Sequence, residues 1–267
     1  PDPSAARPGV LRVVSGDTGA ERFSVTNPRF PDSGQLAIGD LDGDGSPEIV
    51  GMKYVTTPQG SGTGGIFGRY TTGTLVALDR TGQLLWESDP FSWSTQVTWS
   101  AAGPAIADLD GDGKVEIVGL APGLTIFNHQ GEVLASRLEP GSGPCFRDYP
   151  PAIANLDGMG PPEIVAGAAA FRYVATPRPQ IELLWNHNII EEGSWGTIAI
   201  PVDLDGDGVM EVVSGHSVFH GITGADKTPA LTKDLVGGYP AIGDLNADGH
   251  PDIVLVSSRN GDQKYST

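Results

Sequence analysis

One nine-residue stretch in the middle of the chain has the residue types of a metal-binding loop. It reads Asp108-Leu109-Asp110-Gly111-Asp112-Gly113-Lys114-Val115-Glu116. Carboxylates occupy its first, third, fifth and ninth positions, and glycines at the fourth and sixth let the backbone fold back, because glycine tolerates positive φ. Carboxylates at this spacing repel one another unless a cation neutralises them. Oxygen ligands on a flexible loop select a hard ion and suit calcium better than magnesium.

The same pattern occurs four more times along the chain. Complete copies begin at Asp40 and Asp203, and the copy that begins at Asp244 keeps a side-chain oxygen at each of the four positions. The copy that begins at Asn155 has Met159 where the others have an oxygen-bearing fifth residue. One such loop could be a chance acidic turn, but five copies in register are too many for chance.

The segments on both sides of the loop indicate which elements position it. Ala105-Ile106-Ala107 precedes it and Ile117-Val118-Gly119 follows it, and both segments are typical of short buried strands. The loop is therefore predicted to be the turn of a β-hairpin. An EF-hand would need a helix on each side and a glutamate at the twelfth position, which is Gly119 here. The EF-hand interpretation is thereby excluded.

These loops and their flanking strands resemble the calcium-binding FG-GAP or VCBS repeats of integrin-α-like β-propellers. The resemblance covers about the whole chain as a repeat pattern, and Asp108 to Pro122 is the closest match. It implies side-chain ligands at the first, third, fifth and ninth positions, a backbone carbonyl at the seventh, and four to five Ca²⁺ ions. The implied ligand residues are Asp40, Asp42, Asp44, Ser46 and Glu48; Asp108, Asp110, Asp112, Lys114 and Glu116; Asn155, Asp157, Pro161 and Glu163; Asp203, Asp205, Asp207, Val209 and Glu211; and Asp244, Asn246, Asp248, His250 and Asp252.

A second kind of hairpin, with a glycine turn, follows the metal hairpins at residues 74–86 and 124–134. Each repeat then has four strands, which is the content of a propeller blade. Blades are predicted at 34–88, 101–138, 149–188 and 195–233, followed by a metal hairpin at 238–257. Residues 10–26 form a similar glycine hairpin with no metal loop before it. The expectation is an all-β, five-bladed propeller, one domain over residues 1–267, in which 10–26 completes the last blade and 1–9 is loose. The alternative is a fragment of a seven-bladed propeller.

The net charge of −17 comes from the predicted metal loops. They hold about half of the 33 acidic residues, and the remaining acids balance the 16 Lys and Arg. The negative charge argues against a nucleic-acid partner. The one cysteine, Cys145, cannot form an intrachain disulfide and is interpreted as a small buried residue. No apolar run approaches the length of a membrane helix, so membrane insertion is not expected.

The residues that could recognise a ligand lie in the long connections between strands. In a propeller these connections share the face opposite the metal loops, and Trp86 and Trp185, at strand ends, are interpreted as packing residues instead. The candidate ligand-binding residues are Trp93, Trp99, Arg147, Asp148, Tyr149 and Trp195. The oligomeric state cannot be read from the sequence.

The leading functional hypothesis is a calcium-stabilised, non-catalytic binding or adhesion module, extracellular or on the cell surface, that recognises a glycan or a protein. The calcium loops are interpreted as structural, because their oxygens are spent on the ion and they occupy hairpin turns. One alternative is a polysaccharide-active enzyme, lyase or hydrolase, in which Asp148, Glu191 and Glu192 would have to converge as paired carboxylates. Another is a purely structural domain of a larger surface protein.

Overall fold

The computed structural model describes residues 8–31, 34–54, 72–89, 91–92, 103–120, 123–137, 150–187, 198–230, 233, 235–236, 238–256 and 258–259. These residues form β-strands joined by turns, and none of them is helical. The all-β prediction is confirmed. Within the same ranges, no helix has the length and apolar character needed to cross a bilayer.

The strands are short and are separated by turns that contain glycine, proline and aspartate. In chain order they are β1 (Pro8–Val14), β2 (Glu21–Pro31), β3 (Leu36–Gly39), β4 (Glu48–Tyr54), β5 (Thr72–Leu78), β6 (Leu84–Glu87), β7 (Phe91–Ser92), β8 (Ala105–Ala107), β9 (Glu116–Gly119), β10 (Leu124–Phe127), β11 (Val133–Arg137), β12 (Ala152–Ala154), β13 (Glu163–Ala166), β14 (Ala169–Val174), β15 (Gln180–Asn186), β16 (Ala199–Val202), β17 (Glu211–Ser214), β18 (Ser217–His220), β19 (Leu235–Val236), β20 (Pro240–Gly243), β21 (Asp252–Leu255) and β22 (Ser258–Arg259).

Three sheets are antiparallel meanders whose four strands pair in chain order. They are β3 to β6, with β7 paired beside β5, then β8 to β11, and then β12 to β15. Each predicted metal loop is the turn between the first two strands of its sheet. The pairing of Gly39 with Glu48 and of Ala107 with Glu116 closes the first two of these turns. The predicted repeats at 34–88, 101–138 and 149–188 therefore correspond to observed sheets.

The fourth repeat differs from the prediction. It has three strands, β16 to β18, and after the next turn only Asp226 bridges back to Phe219. The prediction of a regular fourth strand is wrong for the described part of this segment. Pro229 gives the physical reason, because proline cannot donate to the ladder. The fifth metal hairpin, β20–β21, forms a two-stranded sheet, and the pairing of β19 with β22 was not predicted.

The N-terminal hairpin β1–β2 has the geometry of the second hairpin in each sheet. Its register shifts between Val13 and Val14, because Val13 pairs with Phe23 and Val14 pairs with Glu21. The third and fourth strands of the three complete sheets contain the same shift, at Ala77/Leu78, Ile126/Phe127 and Ala170/Phe171. Residues 10–26 are thus built like the second half of a repeat.

An aromatic side chain from one hairpin packs on a turn glycine of the next. A Cβ on Gly131 would lie 2.5 Å from the Trp86 ring, and a Cβ on Gly82 would lie 2.7 Å from the Phe23 ring. The N-terminal hairpin therefore packs on the first sheet as the first sheet packs on the second. Pairing of β1–β2 with the last metal hairpin stays a prediction, because within the described residues β1–β2 is a two-stranded sheet.

The chain divides into two compact units. The first comprises Pro1–Ala107 and Asp112–Leu138, and the second comprises Asp108–Gly111 and Glu139–Thr267. The first unit contains two core clusters, around Val50 and Phe127 and around Leu11 and Val76, and the second contains one around Val165 and Phe219. The prediction of a single domain over residues 1–267 stays a prediction.

The leucine at the second position of the metal loops links these loops to the core. Leu41, Leu109 and Leu156 are at most 3% exposed, and Leu156 belongs to the cluster that contains Phe219 of the following sheet. Leu245 of the fifth loop is 74% exposed. The first three loops are thus held by apolar packing of this leucine, whereas the fifth is not.

Candidate metal centre

The glutamate at the ninth loop position is buried in four of the five loops. Glu48, Glu116, Glu163 and Glu211 are each at most 5% exposed. In the first loop, the backbone N–H of Leu41 donates to Glu48 Oε2 over 2.8 Å. The same bond joins Leu156 to Glu163 over 2.9 Å and Leu204 to Glu211 over 3.0 Å. Such a charge is expensive to bury unless it has a cation or several hydrogen bonds, so this position is the one in each loop that most needs a balancing positive charge.

The aspartate at the first position organises the loop backbone. Asp40 Oδ1 accepts the N–H of Gly43 over 2.8 Å, and its Oδ2 accepts the N–H of Gly45 over 2.9 Å. The φ angles of the two glycines are 79° and 85°, in the left-handed region that other residues rarely adopt. Asp203 makes the same pair of bonds in the fourth loop, to Gly206 and Gly208. The loop shape is therefore encoded locally.

Three loops bring carboxylate oxygens close enough to share one ion. In each, an oxygen from the first, third and ninth positions lies within 4.8 Å of the other two. Oxygens that bind calcium at about 2.3–2.6 Å cannot be more than about 5 Å apart, so these clusters fit a calcium ion. The clusters are Asp40, Asp42 and Glu48; Asp108, Asp110 and Glu116; and Asp203, Asp205 and Glu211.

The electrostatics of the first loop favour a bound cation. Burial raises the pKa of Glu48, and the carboxylates of Asp42, Asp44 and Asp40 raise it further. Both causes disfavour the charged form, and among the described residues no ion pair involves Glu48. A divalent cation bound by these oxygens would remove the repulsion.

The fourth loop contains a cation of its own. Lys227 Nζ donates to Glu211 Oε1 over 2.6 Å and to Asp205 Oδ2 over 2.9 Å. The bond to Glu211 and the bond to Asp205 raise the pKa of Lys227, and the Lys227 bond lowers the pKa of Asp205. Lys227 lies in an irregular segment after the last turn and is 35% exposed, so it can move away. An ion that binds Glu211 and Asp205 must displace it.

Replacing Lys227 with Met should therefore strengthen metal binding at the fourth loop. Without an ammonium to displace, we expect the calcium affinity of this loop to rise about threefold to tenfold, the range for a partly exposed ion pair. The measurement is a calorimetric titration in an Asp42→Asn, Asp110→Asn background, which leaves the fourth loop as the one loop with an unchanged carboxylate cluster. Lys233→Met is the matched control, because Lys233 pairs with Asp226 over 3.5 Å instead. Equal or weaker affinity in Lys227→Met would contradict the expectation.

The third loop is different from the three clusters. Arg172, on the neighbouring strand β14, donates from Nε and Nη2 to Glu163 Oε1 over 3.0 and 2.6 Å, and Nη2 lies 3.4 Å from Asp157 Oδ2. The bonds to Glu163 raise the pKa of Arg172. Asn155 Nδ2 donates to the carbonyl of Gly160 over 2.9 Å. The side chain of Met159 is exposed to solvent.

The fifth loop keeps the backbone bonds but is open. Asp244 Oδ2 accepts the N–H of Gly249, and Asp252 Oδ2 accepts the N–H of Leu245, both over 2.9 Å. Asp252 is one carbon shorter than the glutamate of the other loops, and the fifth loop forms no three-carboxylate cluster in the described structure. Ala247 has a φ of 61° where the other loops have glycine. Its metal binding, like that of the third loop, stays a prediction.

Sequence reasoning did not find Lys227 or Arg172. The missing carboxylate at Met159 and the arginine thirteen residues later are both visible in the sequence, but nothing local joins them. All six candidate ligand-binding residues lie outside the described residues: Trp93, Trp99, Arg147, Asp148, Tyr149 and Trp195. The packing role of Trp185 is confirmed, because it is 7% exposed and belongs to a core cluster.

Comparison with known proteins gives structural neighbours and no family. No protein-family model matches the chain, and no curated protein is significantly similar to it. The biofilm matrix protein Bap1 of V. cholerae is similar with a TM-score of 0.57 and 23% identity, over 82% of this chain and 34% of that protein. The exotype rhamnogalacturonan lyase YesX is similar with a TM-score of 0.59 and 19% identity, over 92% of this chain and 48% of the lyase. The chain spans less than half of each of these two proteins, and likeness at this identity concerns the fold alone.

Proposed function

We propose that the chain is a calcium-stabilised, non-catalytic binding module that recognises a glycan or a protein. The observation that carries the proposal is the repetition of buried-glutamate clusters in hairpin turns. In the first and fourth loops, which both contain such a cluster, the buried glutamate ties the second loop residue to the strand that follows it. The leucine at that second position packs in the core in the first three loops. An ion there would stabilise the fold, because its ligands are the residues that join two strands.

The proposed architecture is a β-propeller of the FG-GAP or VCBS type. The repeated four-stranded meanders support it, and so does the regular packing of an aromatic residue on the turn glycine of the next hairpin. In this architecture β1–β2 supplies the third and fourth strands of a blade that lies before the first sheet. Closure into five blades and membership of a larger ring are the two alternatives, and they differ in whether the first sheet of this chain covers Leu245.

The proposed location is outside the cell or on its surface. Hairpin loops whose third and fifth positions are exposed, as in the first and fourth loops, resemble open sites rather than enclosed cages. Calcium sites of extracellular modules have dissociation constants of about 10⁻⁴–10⁻³ M, which such loops can supply. Where calcium is plentiful, the loops then stay loaded with the ion and stabilise the hairpin turns continuously.

The proposed recognition surface is the face opposite the calcium loops. The aromatic residues of the long connections, Trp93 and Trp99 among them, combine a flat apolar ring with a polar N–H, which suits stacking on a sugar or packing against a protein. The net charge of −17 disfavours a nucleic acid.

The test is binding of the calcium-loaded chain to an array of immobilised polysaccharides that includes rhamnogalacturonan. We expect at least one polysaccharide to be bound, and Trp93→Ala or Trp99→Ala to weaken that binding about tenfold. Met159→Ala is the control, because Met159 is a large exposed apolar side chain in a calcium-side loop. Equal binding by the tryptophan variants and the parent would overturn the assignment of the surface. Release of shortened products from the bound polysaccharide would favour the enzyme alternative.

A further inference from the structure

The residue that faces the buried glutamate across the ladder differs from sheet to sheet. Ile49 pairs with Leu78 and Ile164 pairs with Phe171. One residue closer to the metal loop, Glu48 lies opposite Asp79 in the first sheet, and Glu163 lies opposite Arg172 in the third. The corresponding residues are Asn128 in the second sheet and His220 in the fourth. The third sheet is thus the one of these four that has an arginine at this ladder position, opposite its buried glutamate.

The residue type at this ladder position determines where the turn of the next hairpin begins. Asp79 Oδ1 accepts the N–H groups of Thr81 and Gln83 and so begins a tight turn, and Asn128 does the same for Gln130 and Glu132. Arg172 cannot accept such bonds, and β14 continues to Val174 in pairing with β15. The later turn leaves Arg172 within a strand, and its guanidinium reaches the metal loop.

The Arg172 guanidinium uses the oxygens that an ion would need. Glu163 Oε1 accepts from Nε and Nη2, while Glu163 Oε2 accepts from Leu156 N. The Glu163 side chain is 0% exposed, so its charge must be balanced inside the protein. Asp157 Oδ2 is 3.4 Å from the same guanidinium. The two carboxylates of the loop therefore share one cation that is part of the chain.

The other two ligand positions do not favour a metal either. Met159 contributes no oxygen, and the amide hydrogens of Asn155 are directed at Gly160 O inside the loop. Asn155 Oδ1 is buried and has no hydrogen-bond partner among the described residues. A single amide oxygen suits a water molecule, which needs only polar partners, better than a divalent ion, which needs negative charge.

We propose that the third loop holds no metal ion and that the Arg172 guanidinium takes the place of calcium there. The residues of this loop do not fit the ion that the first loop fits, although the backbone design is the same. The inference rests on the proposed calcium binding of the other loops for its comparison. Lys227 in the fourth loop differs from Arg172, because all the carboxylates of that loop are retained and Lys227 lies outside a regular strand.

The first test counts calcium ions per chain by native mass spectrometry. Asp157→Asn should leave the count unchanged, whereas Asp42→Asn should lower it by one. Asn155→Asp with Met159→Asp should not raise the count while Arg172 is present, and the same variant with Arg172→Met should raise it by one. Loss of an ion in Asp157→Asn would overturn the proposal. So would a gain with Arg172 present, or no gain in the folded triple variant.

The second test needs no calcium and separates this inference from the proposed function. It is a double-mutant cycle in chelator between Arg172→Met and Glu163→Gln. Arg172→Met alone should lower the melting temperature by about 5–10 °C, because it leaves Glu163 buried and unpaired. Adding Glu163→Gln should recover at least half of that loss. Additive losses would overturn the proposal. A parent chain that binds no calcium would refute the proposed function, and the cycle would still decide the role of Arg172.

Discussion

Removal of calcium is expected to lower the melting temperature of the chain by a large amount. An ion that binds only the folded state adds about 2.7 kcal/mol per site when its free concentration is 100-fold above the dissociation constant. For a chain of this length, each site then corresponds to about 5–10 °C. The three clusters whose oxygens lie within 4.8 Å of one another are the expected source of this stabilisation.

Thermal melts in calcium and in chelator measure the change in melting temperature. One matched pair of variants shows whether this change comes from the carboxylate clusters. Asp42→Asn removes a cluster carboxylate and should lower the gain on calcium addition by the contribution of one site. Asp79→Asn is the control, because Asp79 holds a turn that Asn128 holds in the second sheet. Magnesium at the same concentration should stabilise less, because it demands a tighter octahedral shell. A melting temperature unchanged after calcium has been stripped would refute the calcium hypothesis.

Truncation of the second loop residue is the other change with a large expected effect. Leu156 is 0% exposed and packs with Val212 and Phe219, so Leu156→Ala should cost about 3–5 kcal/mol of unfolding free energy. Leu245 has the same place in the fifth loop but is 74% exposed, so Leu245→Ala should change stability by about 0.5 kcal/mol or less. Urea unfolding of both variants in saturating calcium measures the difference.

The same pair distinguishes the two propeller alternatives. In a closed five-bladed ring, β1–β2 would complete the last blade, and the next blade, β3 to β6, would cover the fifth loop as the fourth sheet covers Leu156. Leu245→Ala would then cost as much as Leu156→Ala. A small cost for Leu245→Ala agrees with the exposure of this side chain and counts against closure by β1–β2. A small cost for Leu156→Ala would instead contradict the core assignment.

The metal loops could be predicted from the sequence because their interactions are local. The hydrogen bonds that shape the first loop join residues at most seven apart, from Gly43 to Asp40 and from Leu41 to Glu48. Two glycines supply the left-handed φ angles, and no distant residue is needed. The hairpin position follows from the flanking apolar triplets, and the all-β class follows from their repetition.

In the fourth repeat, the repeat pattern of the sequence was not sufficient to predict every strand. Its turn and first three strands follow the pattern, but Pro229 interrupts the expected fourth strand, and in the described part of this segment only Asp226 bridges to Phe219. The repeat length predicted a strand from the average of the other copies. A single residue without an N–H overrides that average, because a ladder needs a donor at every second residue.

Spacing and residue type determined where the loops lie, which oxygens they offer and how their backbones turn. Tertiary structure alone decided which loops have a cation of their own. Arg172 reaches Glu163 because the register of β13 and β14 sets them side by side, and Lys227 reaches Glu211 because the chain turns back after β18. It also decided that Leu156 is buried and Leu245 is exposed. Pairing register and packing depend on which strands meet, and a nine-residue motif contains no information about its neighbours.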